Sequence, residues 1–335
     1  MTRRICIYPV LLSGGVGSFR LKFSAALERR GIGVTGDLDD DFDALLLLAG
    51  TRNLPGLRRL RRGGIPIVQR LDGINWVQRR RRTGLRYWLR AEYGNFILSH
   101  LRRHFADRVV YQSEFVRTWW EDWFGPTHVP YQVIHNGVDL DIFTPDGPHS
   151  RPTQRVRLLV VEGSLAGGLD FGLHLAVDLA GRLARTRAVE LLVVGSVSPG
   201  SVERVRQNQS FVAQFPGLVG RERIPEIDRS AHLLFSAEIQ PPCPNSVIEA
   251  LACGLPVAGF ATGALPELVT GDAGRLVPYG GDPWKLDPPD LPALAEAAAE
   301  ILQNNVHFRR SARRRAEEAF SLDTMVDRYL DVLLG

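Results

Sequence analysis

The sequence predicts an α/β fold built on two parallel sheets. Apolar runs of strand length alternate with helix-length segments from one end of the chain to the other, the pattern of helices layered on parallel strands. A break at 144–153, with Pro145, Gly147, Pro148 and Pro152, divides that alternation into two series. The length of 335 residues suits two domains at roughly 100–200 residues each.

In the first series, strands are expected at 4–9, 44–48, 65–69, 108–112 and 132–134, with helices at 18–30 and 92–105. The second series opens with a strand at 157–161 and continues at 190–194, 232–236, 256–260 and 275–277, with a helix at 246–253. An alanine-rich helix at 291–304 and an arginine-rich one at 307–320 follow. The last segment, 322–334, sets Leu322, Met325, Val326, Tyr329, Leu330 and Leu333 on one helical face, which must dock on something. The expected domains are 1–147 and 148–320, with 321–335 as a terminal helix.

Composition narrows the class. Hydrophobic residues make up 44% and charged residues 23%, ordinary for a globular protein, and no apolar run reaches the roughly 18 residues of a membrane span. Residues 1–4 lead into a strand and not into a signal-peptide core, so a cytoplasmic setting is expected. Cys6, Cys243 and Cys253 form no metal-type pair and imply reduced thiols. The net charge of +4 comes from arginine, since Lys22 and Lys285 are the only lysines. Arg58, Arg59, Arg61, Arg62, Arg79 to Arg82, Arg86, Arg90, Arg102 and Arg103 crowd the first third. They read either as a solvated face or as a site for an anionic partner, acidic lipid or phosphate-bearing acceptor; no nucleic-acid motif accompanies them.

Several loops carry chemistry. Pro242 and Pro244 precede Ser246 and Glu249, an S-x-x-E spacing that marks a helix start. Free N–H groups there could hold a phosphate, or Glu249 could merely cap its own helix. Gly15 and Gly17 open the first helix, with Asp37 about 20 residues on, a partial dinucleotide fingerprint that Arg20 interrupts. Asp37 and Asp39 have metal-type spacing but read more simply as solvated surface. Arg70 and Asp72 end an apolar strand, where open α/β sheets place ligands; Asp72 is a general base, a sugar-hydroxyl ligand or part of an Asp-Gly turn. Ser113 and Asn136 also follow strands, and His100 with His104 lacks the Glu of a zinc helix. No P-loop or nucleophile elbow is present.

Three runs, His135 to Pro145, Pro244 to Val257 and Thr262 to Val269, together resemble the family 4 (group 1) retaining glycosyltransferases of GT-B fold in residues, order and spacing. The resemblance implies two Rossmann-like domains facing across a cleft, with the last helix crossing back to the first. It implies a nucleotide-sugar donor on the second domain and a glycan or lipid-linked acceptor on the first, which in this family is often basic and membrane-associated. Carried over by position, Glu249 binds the donor ribose, and Asn245, Ser246 and Val247 face the diphosphate or sugar. Gly15 and Gly17 resemble the loop that closes over the donor phosphate, and Asp72, assigned a catalytic place, lies near the family's catalytic-cleft segment, whose usual histidine is absent here; Arg70, Ser113 and Asn136 are assigned to the acceptor and cleft side from their strand-end positions. The first of the family's paired glutamates falls at 241, where this chain has Pro241; Glu238 is the nearest acid and is assigned its role. The family's two pyrophosphate cations fall in a run that here reads from Glu162 through Gly163 and Ser164 to Gly168. Gly163 and Ser164 keep their donor-side places, and Arg221 or Arg223 is assigned the missing charge.

These readings imply a metal-independent, cofactor-free transferase peripheral to the inner face of the plasma membrane. A GT-B-shaped binding protein without catalysis is the alternative, and an NAD-type oxidoreductase the third.

Overall fold

The computed structural model describes residues 3–10, 14–165, 170–207 and 210–335. They form two compact units: one runs to Gly137 and takes back Leu322–Gly335, and the other is Val138–Ser321.

The first unit contains β1 (Arg4–Tyr8), α1 (Gly14–Arg29), β2 (Gly33–Thr35), β3 (Ala44–Leu47), α2 (Leu54–Arg62), β4 (Ile67–Leu71), α3 (Leu85–His104), β5 (Arg108–Tyr111), α4 (Glu114–Phe124) and β6 (Tyr131–Val133). The second contains β7 (Val156–Leu165), α5 (Phe171–Leu183), β8 (Val189–Val197), α6 (Pro199–Gln207), β9 (Val212–Gly217), α7 (Ile224–Ser230), β10 (Leu233–Phe235), α8 (Asn245–Ala252), β11 (Val257–Phe260), α9 (Leu265–Leu268), β12 (Gly274–Val277), α10 (Leu291–Gln303) and α11 (Asn305–Ala319). The last helix, α12 (Leu322–Leu334), belongs to the first unit.

Each unit has one six-stranded sheet in which the paired strands are parallel. The orders are β2-β1-β3-β4-β5-β6 and β12-β11-β10-β7-β8-β9. Strand order therefore reverses between β1 and β3 in the first sheet and between β7 and β10 in the second, the points at which open α/β sheets bind ligands.

Alternation within the strands explains why both faces are covered. In β1 and β3, Ile5, Ile7, Ala44 and Leu46 join a core with α1 and α12, while Cys6, Leu45 and Leu47 join one with α2 and α3. The second sheet repeats this: Leu159 and Leu234 pack with α7, α8 and α11, and Leu158 and Leu233 with α5 and α10.

Several elements depart from expectation. The unit boundary falls at 137/138 and not at 147/148, because Val138 and Phe143 are buried in the second core. Arg313 Nη1 donates to the Phe143 carbonyl at 2.8 Å and Arg229 Nη1 to that of Thr144 at 3.1 Å. These bonds tie the Pro-rich segment to the second unit. The first helix starts at Gly14, so it takes in the glycines expected to form a loop. Edge strands β2 and β9 were not anticipated, and α3 begins seven residues before position 92.

In α12, Leu322, Met325, Val326, Tyr329, Val332 and Leu333 are buried and Leu330 is partly so. Tyr329 lies against Phe19 and Phe23 of α1, with ring centroids 5.3 and 5.2 Å away.

Candidate functional site

In the second unit the candidate site gathers at the carboxyl ends of β7 and β10. Glu162 lies near the end of β7, where the β7/β8 register shifts between Val161 and Ser164. Such bulges re-aim side chains beside functional sites. Gly195 in β8 permits the bend: its φ is 141°, and a Cβ there would meet the Glu162 carbonyl oxygen at 1.9 Å. Gly163 and Ser164 follow on the exposed strand end. Glu238 follows β10, the neighbouring strand. Burial and then the Glu238 charge push the Glu162 carboxyl upward, and crowding by protein does the same to Glu238 although its side chain keeps solvent contact. Two acids held this way resist losing both protons.

The loop after β10 leads into α8, whose N-cap is Pro244, with no capping bond from a side chain. The predicted S-x-x-E box is therefore absent: Ser246 lies inside the first turn, and proline at the cap offers no side-chain acceptor. Asn245, Ser246 and Val247 form that first turn, where helix N–H groups lack partners within the helix. Glu249 is buried, and Arg221 Nη2 donates to its Oε1 at 3.3 Å. Behind them Asp228 of α7 is fully buried, its two carboxylate oxygens without a hydrogen-bond partner among the described residues. Desolvation first, then the Glu249 charge, raise Asp228 well above the usual carboxylate range, against the pull of Arg229.

Pro241 is buried, and its carbonyl accepts from Ala264 N at 2.8 Å. Gln240 Oε1 accepts from Gly263 N at 2.9 Å. Gly263 has φ 58°, and a Cβ there would lie 2.5 Å from Pro241. Position 241 thus serves packing of the 262–264 turn.

Arg223 is not brought to α8. It lines a separate cavity of about 470 Å³ with Arg157, Arg206, Gln214 and Phe215.

In the first unit the ends of β4 and β5 and the segment after β6 converge. Arg70, only 1% exposed, donates to Asp72 Oδ1 at 2.6 Å and to Asn136 Oδ1 at 3.0 Å. Its guanidinium lies 4.1 Å from the Phe19 ring centroid, a cation–π contact. Asn136 Nδ2 donates to Gln112 Oε1 at 3.3 Å, and Trp120 Nε1 to the Asp72 carbonyl at 2.7 Å. Burial pushes the Asp72 carboxyl up, while Arg70 and Gln112 draw it down. Ser113 is the N-cap of α4, its Oγ accepting from Val116 N at 3.1 Å.

The other candidates take structural places. Gly15 is exposed and Gly17 buried in the first turn of α1, while residues 11–13 and 166–168 lie outside the described residues. Asp39 pairs with Arg59 at 2.5 Å, and Asp37 Oδ1 accepts from Asp39 N at 3.0 Å. His100 stacks near Phe96, its ring 4.7 Å from that of His104. All three cysteines are buried and in no disulfide, and burial pushes the Cys6 thiol up to about 12.

Sequence reasoning brought Glu249, Arg221, Glu238 and the α8 start together, and likewise Arg70, Asp72 and Asn136. It gave no role to Glu162, Asp228, Phe19 or Trp120. A charged residue directly after the apolar run 158–161 was the available signal for Glu162; the others are linked only through space.

Residues 157–304 match the family described as Glycosyl transferases group 1, and residues 41–142 match Glycosyltransferase Family 4. A curated relative, the D-inositol 3-phosphate glycosyltransferase of Mycobacteroides abscessus, is 29% identical over 211 residues, covering 59% of this chain. The match spans 45% of that relative's length. Among solved structures, sucrose-phosphate synthase from Thermosynechococcus elongatus superposes with a TM-score of 0.73 at 16% identity, covering 98% of both chains. Anabaena HepE in complex with UDP and glucose gives 0.69 at 16% identity, covering 99% of both. WaaG, a glycosyltransferase involved in lipopolysaccharide biosynthesis, gives 0.69 at 17% identity and the same coverage. At such identities the likeness establishes the fold, which is GT-B.

Proposed function

Because the chain belongs to the family 4, group 1 glycosyltransferases, we propose that it moves a sugar from a nucleotide-sugar donor to a hydroxyl of a glycan or lipid-linked acceptor. In this reading it does so without a metal ion or cofactor and with retention at the anomeric carbon. The observation that carries the reading is the first turn of α8, beside the strand-order reversal of the second sheet, with Glu249 and Arg221 paired next to it.

In this reading the N–H groups of that turn would face the negative charge that grows on a departing diphosphate. Fixed donors of this kind stabilise a transition state more than a ground state. Glu249 would accept from the ribose hydroxyls, its carboxylate held in place by Arg221. Glu238 would contact the transferred sugar. In the first unit Arg70 and Asn136 would hold Asp72 for an acceptor hydroxyl. The arginine-rich first unit would meet anionic lipid on the cytoplasmic face of the membrane.

A panel of nucleoside diphosphates tested by thermal shift should contain one that raises the melting temperature. Slow hydrolysis of the matching nucleotide sugar should accompany it. Glu249→Ala should weaken donor binding about 10- to 100-fold, the loss of a charged hydrogen bond; unchanged binding would sink the assignment.

The pairing of Glu162 with Glu238 favours a second reading, since acids stand where a diphosphate site calls for cations. Under that reading the protein binds a nucleotide or glycan without transfer, and nucleotide-dependent stabilisation would come with no sugar release.

A further inference from the structure

We propose that the cavity between β9 and α7 is a second ligand site, shaped for a phosphate monoester carried on a hydroxylated ring, the chemistry of a sugar phosphate. The inference goes beyond the transfer assigned to α8 and does not rest on it.

The cavity measures about 470 Å³, within the roughly 300–1,000 Å³ of small-molecule pockets, and all of its lining belongs to the second unit. Its position sets it apart from the donor-side residues. Arg157 stands at the start of β7 and Ser230 at the end of α7, so the cavity extends to the amino ends of the strands. Glu162, Glu238 and the first turn of α8 gather at the carboxyl ends.

Three guanidinium groups from three different elements line it. Arg157 is anchored: its Nε donates to Glu190 Oε1 at 2.7 Å, and its Nη1 to Ser230 Oγ at 2.8 Å and to the Ser150 carbonyl at 3.1 Å. Its Nη2 has no hydrogen-bond partner among the described residues. Arg206, in the last turn of α6, and Arg223, the N-cap of α7, are exposed and make no side-chain hydrogen bond or ion pair among the described residues. Exposed arginines elsewhere in the chain do find acids, as Arg59 finds Asp39 and Arg79 finds Glu92. Guanidinium forks left open around one cavity match the planar, multidentate recognition of phosphate. The charge beside them has the same sign: burial first, then Arg151, Arg309 and Arg157, push the His232 imidazole down to about 4.

The remaining lining selects against a bare anion. Glu226, one turn after Arg223, faces the same cavity and would repel a phosphate ion that brought nothing else with it. A carboxylate there accepts from hydroxyl groups instead, and Gln214 offers both a donor and an acceptor. Phe215, Pro216 and Val219 supply an apolar side, the usual complement to a few fixed polar groups. Phosphate for the arginines, hydroxyls for Glu226 and Gln214, and a ring against Phe215 describe one molecule.

Calorimetric titration of the full chain with glucose 6-phosphate and with ribose 5-phosphate tests this, with inorganic phosphate and glucose as controls. At least one sugar phosphate should bind about tenfold or more tightly than either control. Arg206→Ala and Arg223→Ala should each weaken that binding about tenfold or more, the loss of a hydrogen bond to a charged group. Gln214→Trp, at an exposed position of β9, should abolish it by filling the cavity, with the melting temperature kept. Glu249→Ala should leave it unchanged.

Binding of neither sugar phosphate would overturn the proposal, and so would inorganic phosphate binding as tightly as both, since the cavity would then be a general anion site. Wild-type affinity in Arg206→Ala and Arg223→Ala, or loss of binding in Glu249→Ala, would place the ligand elsewhere and overturn it too. Failure of every nucleoside diphosphate to bind would count against the α8 assignment and leave the sugar-phosphate titrations to decide this one.

Discussion

Asp228 shows how one side chain can record the chemistry around it. Its carboxyl is fully buried behind Glu249, and desolvation raises its proton affinity in the folded state. Unfolded, it would titrate near 3.9. Between those two values the folded form holds a proton that the unfolded form has released, so this group's contribution to stability falls as pH rises through the window. Asp228→Asn removes the titration. The stability of the variant relative to wild type should therefore grow with pH above about 4, by up to roughly 1.4 kcal/mol per unit, until the folded value is passed. Urea melts of both proteins from pH 4 to 8 read this directly, and a constant difference would refute it. The residues whose placement was legible in the sequence are those whose neighbours in the chain define it: Glu249 just inside a helix start, and Arg70 and Asp72 at a strand end. Phe19 beneath Arg70 and Asp228 behind Glu249 were not, because their partners stand far away in sequence and burial decides their behaviour.

At the scale of elements, the end of β7 depends on β8. Gly195 accepts a φ of 141° and leaves no room for a Cβ against the Glu162 carbonyl. Gly195→Ala should cost roughly 2–5 kcal/mol, from backbone strain together with overpacking, and should displace Glu162 enough to weaken donor binding. Denaturant midpoints and nucleotide titrations check the two effects separately. Most strands were readable as apolar runs because both faces of each sheet are covered. Those missed are edge strands. β2 has three residues, and β9 alternates exposed and intermediate positions and includes Pro216. The start of α3 escaped notice for a related reason: a helical period is visible only where one face is buried, and burial in α3 begins at Ala91. Pro244 rather than Ser246 caps α8 because the loop, not the local pattern, sets where the helix begins.

For the whole molecule, the chain passes between the units twice, at 137/138 and 321/322. Beside these crossings Lys22 Nζ donates to the Gly137 carbonyl at 2.5 Å, and Gly137 N donates to Met325 Sδ at 3.0 Å. Val138 forms a parallel bridge with Ser321. The six fully buried side chains of α12, at about 1.5–3 kcal/mol each, represent some 9 kcal/mol or more, comparable with the roughly 5–15 kcal/mol that holds a domain folded. A chain ending at Ser321 should therefore lose hydrogen-exchange protection throughout 3–137 while 138–321 keeps it. Protection retained in both halves would show that α12 is dispensable. That the last helix must dock was legible from its spacing; the point of crossing was not, since the prolines at 145–152 look like a linker, yet Arg229 holds the Thr144 and Pro148 carbonyls and Arg313 that of Phe143.

The return of α12 also bears on how the protein is made. The first unit is translated first, yet the last piece of its core leaves the ribosome after every residue of the second. Residues 138–321 are contiguous and hold every part of their own core, whereas 1–137 lacks the part that α12 supplies beside α1 on the face of β1 and β3. The core of the first unit is thus completed only after every residue of the second has been made.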